Sequence, residues 1–310
     1  MDDFLLPKRI GKIHVPPIKC QGIKTKLIGF IAENIVWGGS GRWIEPFLGS
    51  GVVAFNIAPR KAILSETNKH IIQFYKDIKS GEINEKIVKK YLENTSKKLL
   101  TSGEKFYYKI RDKFNTDGGG SLELLFLNRS CFNGVMRFNS KGKFNVPFGH
   151  KPNRFRQAYI TKIVNQVTWV RKLIEDKDWM FAVSDWKDIL SNVQEDDFVY
   201  LDPPYIGRHA DYYNNWSEED AIELSKVAKS LPCGFALSMW KENKYRTNEH
   251  LEKCWGDTII RTFDHFYHVG STESLRNKMI EALAIKPKYA TADSIFEKNE
   301  KKTSQTQLVI

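Results

Sequence analysis

Apolar and polar residues alternate along the chain in a way that divides it into three regions. Across residues 16–75, short apolar runs alternate with glycine-rich turns, a texture that is typical of α/β folds. This pattern predicts helices over 27–35 and 52–57 and from about Lys69, with strands over 42–45 and 62–64. From residue 160 the texture returns, with helices predicted over 160–174 and 218–230 and strands over 180–183, 198–201, 235–238, 258–263 and 280–285. A polar stretch over 298–307 is predicted to be a loose tail.

The middle region, residues 76–159, has a different pattern. It begins with a Lys/Glu-rich amphipathic helix over 83–100, followed by a flexible polar turn over 116–120 and an apolar helix or strand over 122–127. Residues 128–149 are rich in Asn, Gly, Arg, Lys and Phe, and within them residues 139–142 are typical of a β-hairpin turn. We therefore predict an α/β catalytic domain formed by residues 1–75 and 160–310, interrupted by a basic insertion over 76–159.

Length and composition fit this organisation. With 310 residues the chain is long enough for one large domain with an insertion, and no apolar run approaches the roughly 18 residues that span a bilayer. The four cysteines are scattered and form no CxxC pair, so neither a zinc site nor a disulfide framework is expected. Without an export signal or a membrane segment, a cytoplasmic protein is the simplest interpretation. The formal net charge of +11 suits a polyphosphate partner, although a solvated basic surface would give the same value.

A glycine turn, Glu45-Pro46-Phe47-Leu48-Gly49-Ser50-Gly51, lies between a predicted strand and a predicted helix. Such a turn lets the backbone approach a ligand closely, although many strand–helix turns carry these glycines for steric reasons alone. Glu66 follows the next strand, where an acid in nucleotide-binding folds accepts hydrogen bonds from ribose hydroxyls. Glu66 is also compatible with a surface turn or a helix N-terminus. Together the two positions favour a nucleoside cofactor.

The sequence Asp202-Pro203-Pro204-Tyr205 ends an apolar strand, the position where open α/β sheets bind ligands. These residue types suit a reaction at the exocyclic amine of adenine. That amine is a poor nucleophile because its lone pair is delocalised into the ring. A carboxylate on Asp202 and the carbonyl of Pro203 could each accept one amino hydrogen, and these contacts would strengthen as positive charge develops on nitrogen. Tyr205 offers a flat face for an extruded base. The alternative is a Pro-Pro turn capped by an aspartate.

These segments resemble those of the Dam-type adenine-N6 DNA methyltransferases. Four stretches resemble the family in the right order: Ile18-Lys19-Cys20-Gln21-Gly22-Ile23-Lys24, the glycine turn, the hairpin stretch with Phe132-Asn133-Gly134 and Phe144-Asn145-Val146-Pro147-Phe148-Gly149, and Asp202-Pro203-Pro204-Tyr205. The later segment from Asn277-Lys278 to Leu283 resembles the family's final strand. The resemblance implies a Rossmann-like methyltransferase sheet with an inserted helical and β-hairpin DNA target-recognition domain. It also implies S-adenosylmethionine as the methyl donor and no metal.

By position, the resemblance implies catalytic and cofactor residues. The catalytic set is Asp202, Pro203, Pro204 and Tyr205, and the cofactor set is Cys20, Lys24, Glu45, Phe47, Gly49, Gly51, Glu66, Asp185, Trp186 and Asp202. Three positions depart from the family pattern: Cys20 replaces a tryptophan, Ile23 a glycine, and Glu66 the usual aspartate. None removes a needed charge, but Cys20 removes a stacking surface.

DNA contacts are predicted in the basic hairpin stretch. The residues are Arg129, Asn133, Arg137, Asn139, Lys141, Lys143 and Asn145. Arg137 and Asn139 flank the turn and are candidates for base-edge contacts, with phosphate contact or a purely structural role as the alternative. Phe132 and Phe138 are compatible with the hairpin core. A polar aromatic loop, Tyr212-Tyr213-Asn214-Asn215, could close over an extruded base or form a simple turn.

The leading hypothesis is a site-specific enzyme that methylates adenine in duplex DNA by base flipping, in a restriction–modification system or as a DNA mark. A cognate restriction endonuclease is then the expected partner in function, and the enzyme would be associated with the nucleoid of a bacterium or phage host while acting. Two alternatives remain: the same chemistry on RNA or a protein amide, and a DNA-binding module with a vestigial methyltransferase fold.

Overall fold

A computed structural model describes residues 5–205, 216–243, 245–266 and 278–292 of the chain. Its strands are β1 (Trp43–Glu45), β2 (Lys61–Glu66), β3 (Asp178–Val183), β4 (Phe198–Leu201), β5 (Gly234–Asn243), β6 (Ile259–Phe266) and β7 (Lys278–Ile285). They form one seven-stranded sheet in the order β3-β2-β1-β4-β5-β7-β6. The first five pair in parallel, whereas β7 runs antiparallel to both of its neighbours. The predicted α/β class is confirmed, and the sheet is mostly parallel.

Nine helices accompany this sheet in the described ranges. They are α1 (Ile28–Asn34), α2 (Val52–Ile57), α3 (Lys69–Ser80), α4 (Glu85–Thr116), α5 (Ser121–Ser130), α6 (Gln157–Ile174), α7 (Trp186–Leu190), α8 (Glu218–Ser230) and α9 (Glu249–Trp255). The stretch left open between helix and strand is a helix, α5. The amphipathic helix predicted over 83–100 continues in α4 to Thr116, across a break in helical geometry at Gly103. The helices α7 and α9 were not predicted, because one or two turns are too short to show a helical period.

Alternate residues of the strands face two separate apolar cores. Trp43 on β1 stacks on Phe198 of β4, with ring centroids 5.3 Å apart, in the core that α1 to α6 cover. The next residues, Ile44 and Val199, face the opposite core, which α7, α8 and α9 cover. The central strands β1 and β4 are therefore buried on both faces, which explains the uninterrupted apolar sequence of β4.

The middle region packs onto the sheet domain through shared helices. Side chains of α4 and α5 join the same apolar cluster as α3, α6 and one face of the sheet. The boundaries predicted at residues 75/76 and 159/160 fall inside α3 and α6, whose ends lie at Ser80 and Gln157. The division into two domains stays a prediction.

The hairpin of the middle region is short and is held by α4. Phe138 and Phe144 pair across the turn, and both are buried, so Phe138 belongs to the hairpin core. On α4, the Asn115 side chain accepts the amide of Phe144 at 2.8 Å and donates to its carbonyl at 3.0 Å. The Tyr107 hydroxyl donates to the carbonyl of Val146 at 2.8 Å. The long helix therefore sets the position of the hairpin.

Two predicted segments lie outside the described residues: the loop Tyr212–Asn215 and the tail over 298–307. No helix in the described part of the chain has both the length and the apolar composition to cross a membrane.

Candidate active site

A cavity of about 330 Å³ lies where the carboxyl ends of β1, β2 and β4 meet. The strands β1 and β4 are neighbours, but the connections that follow them run to opposite sides of the sheet. Such a switch point leaves a crevice at the strand ends, and its volume is in the range of small-molecule sites. Most of the predicted cofactor residues line this cavity: Cys20, Lys24, Glu45, Phe47, Gly49, Glu66, Asp185, Trp186 and Asp202.

Gly51 fixes the shape of the turn after β1. Its φ of 72° is in the left-handed region, and an added Cβ would lie 2.5 Å from the Phe55 ring. No other residue fits there without displacing the ring. The amide of Leu48 in the same turn donates to the carbonyl of Ser65 on β2 at 2.9 Å. The turn is therefore tied to the neighbouring strand, and Gly51 supports the wall of the cavity from behind.

Glu66, at the end of β2, joins two loops at the edge of the cavity. Its carboxylate accepts the amide of Gly49 at 3.1 Å and the amide of Asn68 at 3.3 Å. Burial raises the pKa of Glu66, and these backbone hydrogen bonds partly oppose the shift. One carboxylate oxygen of Glu66 therefore faces each loop, and the side chain lines the cavity.

Asp202 lies at the end of β4 in an ion pair. Its Oδ1 is 2.8 Å from Nζ of Lys24, and its side chain is 24% exposed, whereas that of Lys24 is 4% exposed. The same oxygen accepts the Ser238 hydroxyl at 3.2 Å, and Ser238 accepts the Tyr200 hydroxyl at 2.8 Å. Burial raises the pKa of Asp202, and the Lys24 ammonium opposes that shift. Lys24 thus compensates the charge of Asp202 and favours its ionised form.

The remaining residues of the Asp202–Tyr205 motif lie between this cavity and a smaller one. Pro203, Pro204 and Tyr205 line the smaller cavity, and Pro204 lines both. The Lys24 ammonium lies over the Tyr205 ring, with its Nζ 4.9 Å from the ring centroid. Its hydroxyl donates to the buried carboxylate of Glu281 on β7 at 3.1 Å. One cation, Lys24, therefore contacts both ends of the motif.

Aromatic rings form the wall opposite the ion pair. Trp186 begins α7, and Asp185 caps that helix by accepting the amide of Lys187 at 3.0 Å. Trp216 packs edge-on against Phe47, with centroids 5.5 Å apart, and against Trp186 at 6.3 Å. Sequence reasoning missed Trp216, which stands alone before α8 without a motif around it. The three rings give the cavity an aromatic, apolar side that suits a purine.

The cavity carries an excess of acidic groups. Its lining includes two cations, Lys24 and Arg137, and five acids, Glu45, Glu66, Asp185, Asp202 and Asp220. Glu45 is 2% exposed, and burial raises its pKa to about 8, against the opposing hydrogen bond from Nε1 of Trp43. Burial also raises the pKa of the Cys20 thiol, so Cys20 is a lining group rather than a nucleophile. Glu45 aside, four acids still outnumber the two cations of this lining, a balance that favours a cationic ligand over a phosphate-bearing one.

The predicted DNA-binding residues fall into separate groups. Lys141 and Lys143 are exposed at the hairpin turn, and Asn133 is exposed with a φ of 53°. Arg137 lines the cavity, and its Nε donates to Oδ1 of Asn145 at 3.0 Å, so Asn145 orients Arg137.

Asn139 shapes the hairpin turn. Its Oδ1 accepts the amides of Lys141 and Lys143, each at 3.0 Å. That oxygen is therefore occupied within the turn, and of the roles considered for Asn139 the structural one agrees with these contacts.

For Arg129 the DNA-contact prediction is wrong. Arg129 is 2% exposed, on the buried helix α5. Its guanidinium donates to the carbonyl of Pro17 at 2.7 Å, to Gln166 at 2.6 Å and to the Tyr159 hydroxyl at 3.3 Å. These contacts join three segments of the chain, so the side chain is structural and does not reach the surface.

The described residues contain no group of three or more His, Cys, Asp or Glu side chains arranged to hold a metal ion.

Comparison with known proteins identifies the family. Residues 21–269 match the model of the D12 class N6 adenine-specific DNA methyltransferases. The Type II methyltransferase M.MjaIII of Methanocaldococcus jannaschii is 30% identical over 239 residues, which are 70% of this chain and 80% of that protein. The Type II methyltransferase M1.LlaDCHI of Lactococcus lactis subsp. cremoris is 26% identical over 292 residues, 88% of this chain and 96% of that protein. A DNA adenine methylase of Serratia marcescens is 28% identical over 223 residues, 69% of this chain and 77% of that protein. Since the match covers most of the chain, including the glycine turn, the hairpin and Asp202 to Tyr205, this protein belongs to the D12 class of N6 adenine-specific DNA methyltransferases.

Proposed function

We propose that the chain transfers a methyl group from S-adenosylmethionine to the exocyclic amine of an adenine extruded from a short duplex DNA site. The observation that carries this proposal is the position of Asp202. Its carboxylate lies at the rim of an acid-rich cavity, at the switch point of the sheet, in the motif Asp202 to Tyr205. The family supplies the reaction, and the geometry supports a role for each residue.

The residues that line the cavity fit S-adenosylmethionine. Its positive sulfonium suits the excess of carboxyl groups, and the absence of a phosphate in it suits a cavity whose described lining holds two cations, Lys24 and Arg137. Glu66 would accept the ribose hydroxyls, and the wall of Phe47, Trp186 and Trp216 would contact the adenine ring. Lys24 would take the methionine carboxylate. When bound, the cofactor supplies an electrophilic methyl group.

In the proposed mechanism Asp202 prepares the amine for attack. The carboxylate would accept a hydrogen bond from one amino hydrogen, and the carbonyl of Pro203 would accept one from the other. The nitrogen lone pair would then be localised toward the methyl group. As the nitrogen becomes positive, both contacts strengthen, which lowers the barrier. Lys24 and the Ser238 hydroxyl hold the carboxylate in one orientation, at 2.8 Å and 3.2 Å from its Oδ1. Since preorganisation of this kind avoids reorganisation during the reaction, the two partners contribute without touching the target adenine.

We further propose that residues 76–159 recognise the DNA. The hairpin exposes Lys141 and Lys143 at its turn, where they would contact phosphates. Arg137 lies between the hairpin and the cavity, and Asn145 fixes its guanidinium, as a base-reading side chain requires. The formal net charge of +11 would add salt-sensitive affinity for the duplex.

A restriction–modification role is the proposed setting. Two of the similar proteins are named Type II methyltransferases, and a third is named a DNA adenine methylase. A methyltransferase of the first kind protects sites from a restriction endonuclease that cuts the same sequence. We propose such an endonuclease as the functional partner, with a DNA mark as the second candidate role.

Single-molecule sequencing of plasmid DNA from a methylation-free host that expresses the chain tests the reaction. We expect N6-methyladenine in one short motif, and none when Asp202→Ala is expressed at an equal level. Purified Asp202→Ala should still bind DNA, because the carboxylate is placed at the amine and not at the phosphates. Transfer of tritiated methyl groups to RNA or protein, with none to duplex DNA, would contradict the proposal. Wild-type turnover by Asp202→Ala would remove the catalytic role of that carboxylate.

A further inference from the structure

Tyr205 is attached to the sheet by its hydroxyl group. Its ring faces Lys24, and its hydroxyl is directed away from that ammonium toward β7, where it donates to Oε2 of Glu281 at 3.1 Å. The adjacent residues Pro203 and Pro204 restrict the backbone before Tyr205 but do not set the direction of its side chain. The hydrogen bond to Glu281 does, because it fixes the far end of the side chain.

Glu281 is an unusual residue for its position. It has no exposed surface and lies in the middle of β7, followed by Ala282, Leu283 and Ala284, which are fully buried as well. On either side it pairs with Trp240 of β5 and Phe263 of β6. Burying a carboxylate among apolar strands is costly unless its oxygens are hydrogen-bonded, whereas an apolar residue would fit such a strand without that cost. The contact that Glu281 makes to the Asp202–Tyr205 motif gives a reason for a carboxylate at this point.

The motif is thereby held at both ends by neighbouring strands. Ser238 on β5 donates to the Asp202 carboxylate, and Glu281 on β7 accepts from the Tyr205 hydroxyl. The first contact orients the group that would accept an amino hydrogen. The second orients the ring on which the extruded base would stack.

We propose that Glu281 is a positioning residue for methyl transfer, which acts by holding the Tyr205 side chain in the position from which its ring stacks on the target adenine. This inference rests on the proposed function. It predicts that replacement of Glu281 lowers the rate of transfer and the stacking of the extruded base. The binding of S-adenosylmethionine should stay unchanged, because Glu281 and Tyr205 do not line the larger cavity.

The test compares three variants of the full chain: Glu281→Leu, Glu281→Gln and Tyr205→Phe. Leucine removes the acceptor, glutamine keeps a carbonyl oxygen that can accept the tyrosine hydroxyl, and phenylalanine removes the donor. Tyr289→Phe, a change to a half-buried tyrosine remote from the site, is the matched control. Methyl transfer to the duplex motif found by sequencing gives kcat and KM, and thermal unfolding measures the fold. A duplex with 2-aminopurine at the target position reports stacking of the extruded base.

We expect Glu281→Leu and Tyr205→Phe each to lower kcat by roughly 10- to 100-fold, the range for small misplacements in an active site, with an unchanged KM for the cofactor. The double variant should lose no more than either single one, because both remove the same contact. The 2-aminopurine emission should rise in both, since less stacking means less quenching, and Glu281→Gln should stay near the wild type.

Wild-type kcat in Tyr205→Phe would overturn the inference, and this variant decides the matter even where Glu281→Leu fails to fold. Equal losses in Glu281→Gln and Glu281→Leu would also overturn it, since the retained acceptor would then have no effect. The activity of the wild type on duplex DNA distinguishes failure of the proposed function from failure of this inference. If it methylates no duplex DNA, the proposed function fails and this inference with it; if it is active and the variants match it, this inference alone fails.

Discussion

Replacement of Glu45 by glutamine should change how the stability of this protein depends on pH. Glu45 is 2% exposed at the end of β1, and its Oε1 accepts Nε1 of Trp43 at 2.7 Å. The amide oxygen of glutamine can accept the same indole hydrogen, so Glu45→Gln removes a titrating group while it keeps the contact.

The magnitude follows from the two pKa values of Glu45. Burial raises the folded-state pKa from 4.5 to about 8. Below the lower value both states are protonated. Between the two values the unfolded chain loses the proton and the folded protein keeps it, so rising pH favours unfolding until about pH 8, where the loss is complete. At about 1.4 kcal/mol per pKa unit, wild type should lose roughly 3 kcal/mol more than Glu45→Gln between pH 5 and pH 8.

Urea unfolding followed by tryptophan fluorescence, from about pH 5 to pH 9, measures this difference. All other titrating groups are common to both proteins, so their contributions cancel when the two free energies of unfolding are subtracted. Glu195→Gln, at an exposed position before β4, is the control and should follow the wild type at every pH. If Glu45→Gln also runs parallel to the wild type across this range, Glu45 is ionised in the folded protein and the reasoning from burial is wrong.

Two further predictions concern the middle region, residues 76–159. Arg129→Met should lower the free energy of unfolding by roughly 3 kcal/mol, because it leaves the partners of a buried guanidinium unpaired, whereas the exposed Arg156→Met should change it little in the same urea titration. Equal stability of the two variants would show that Arg129 has no structural role. Arg137→Ala should relax the methylated motif at one base pair, where about 1–3 kcal/mol of discrimination between bases is lost. Lys141→Ala should instead weaken DNA binding on all sequences alike. An unaltered motif in sequenced DNA from Arg137→Ala would refute the reading role.

Local patterns were sufficient to predict most elements of this fold. The strand β4, with all four residues buried, reads as an apolar run, and the helix α2 begins directly after the glycine that ends its turn. The helices α7 and α9 are only five and seven residues long. Their existence depends on packing against the sheet, which periodicity over so few residues does not reveal.

The error at Arg129 has a physical cause. Charge in a sequence indicates a preference for water, and a basic stretch suggests a surface that meets phosphate. Yet α5 is buried along most of its length, from Leu124 to Ser130, so it has no polar face for Arg129 to occupy. Its guanidinium instead finds partners on two distant segments, the stretch before α1 and the helix α6, and no local signal in the sequence specifies those partners.

Glu281 had a signal of the opposite kind. A single acid in the predicted strand over 280–285, with alanine, leucine and isoleucine after it, conflicts with a buried strand, and such local conflicts tend to occur at functional sites. The sequence does not indicate the hydrogen-bond partner of Glu281. Tyr205 and Glu281 are 76 positions apart, and only the antiparallel insertion of β7 beside β5 brings the acid below the Asp202–Tyr205 motif. The motif predicts the groups proposed to react, whereas the strand order determines which side chains contact them.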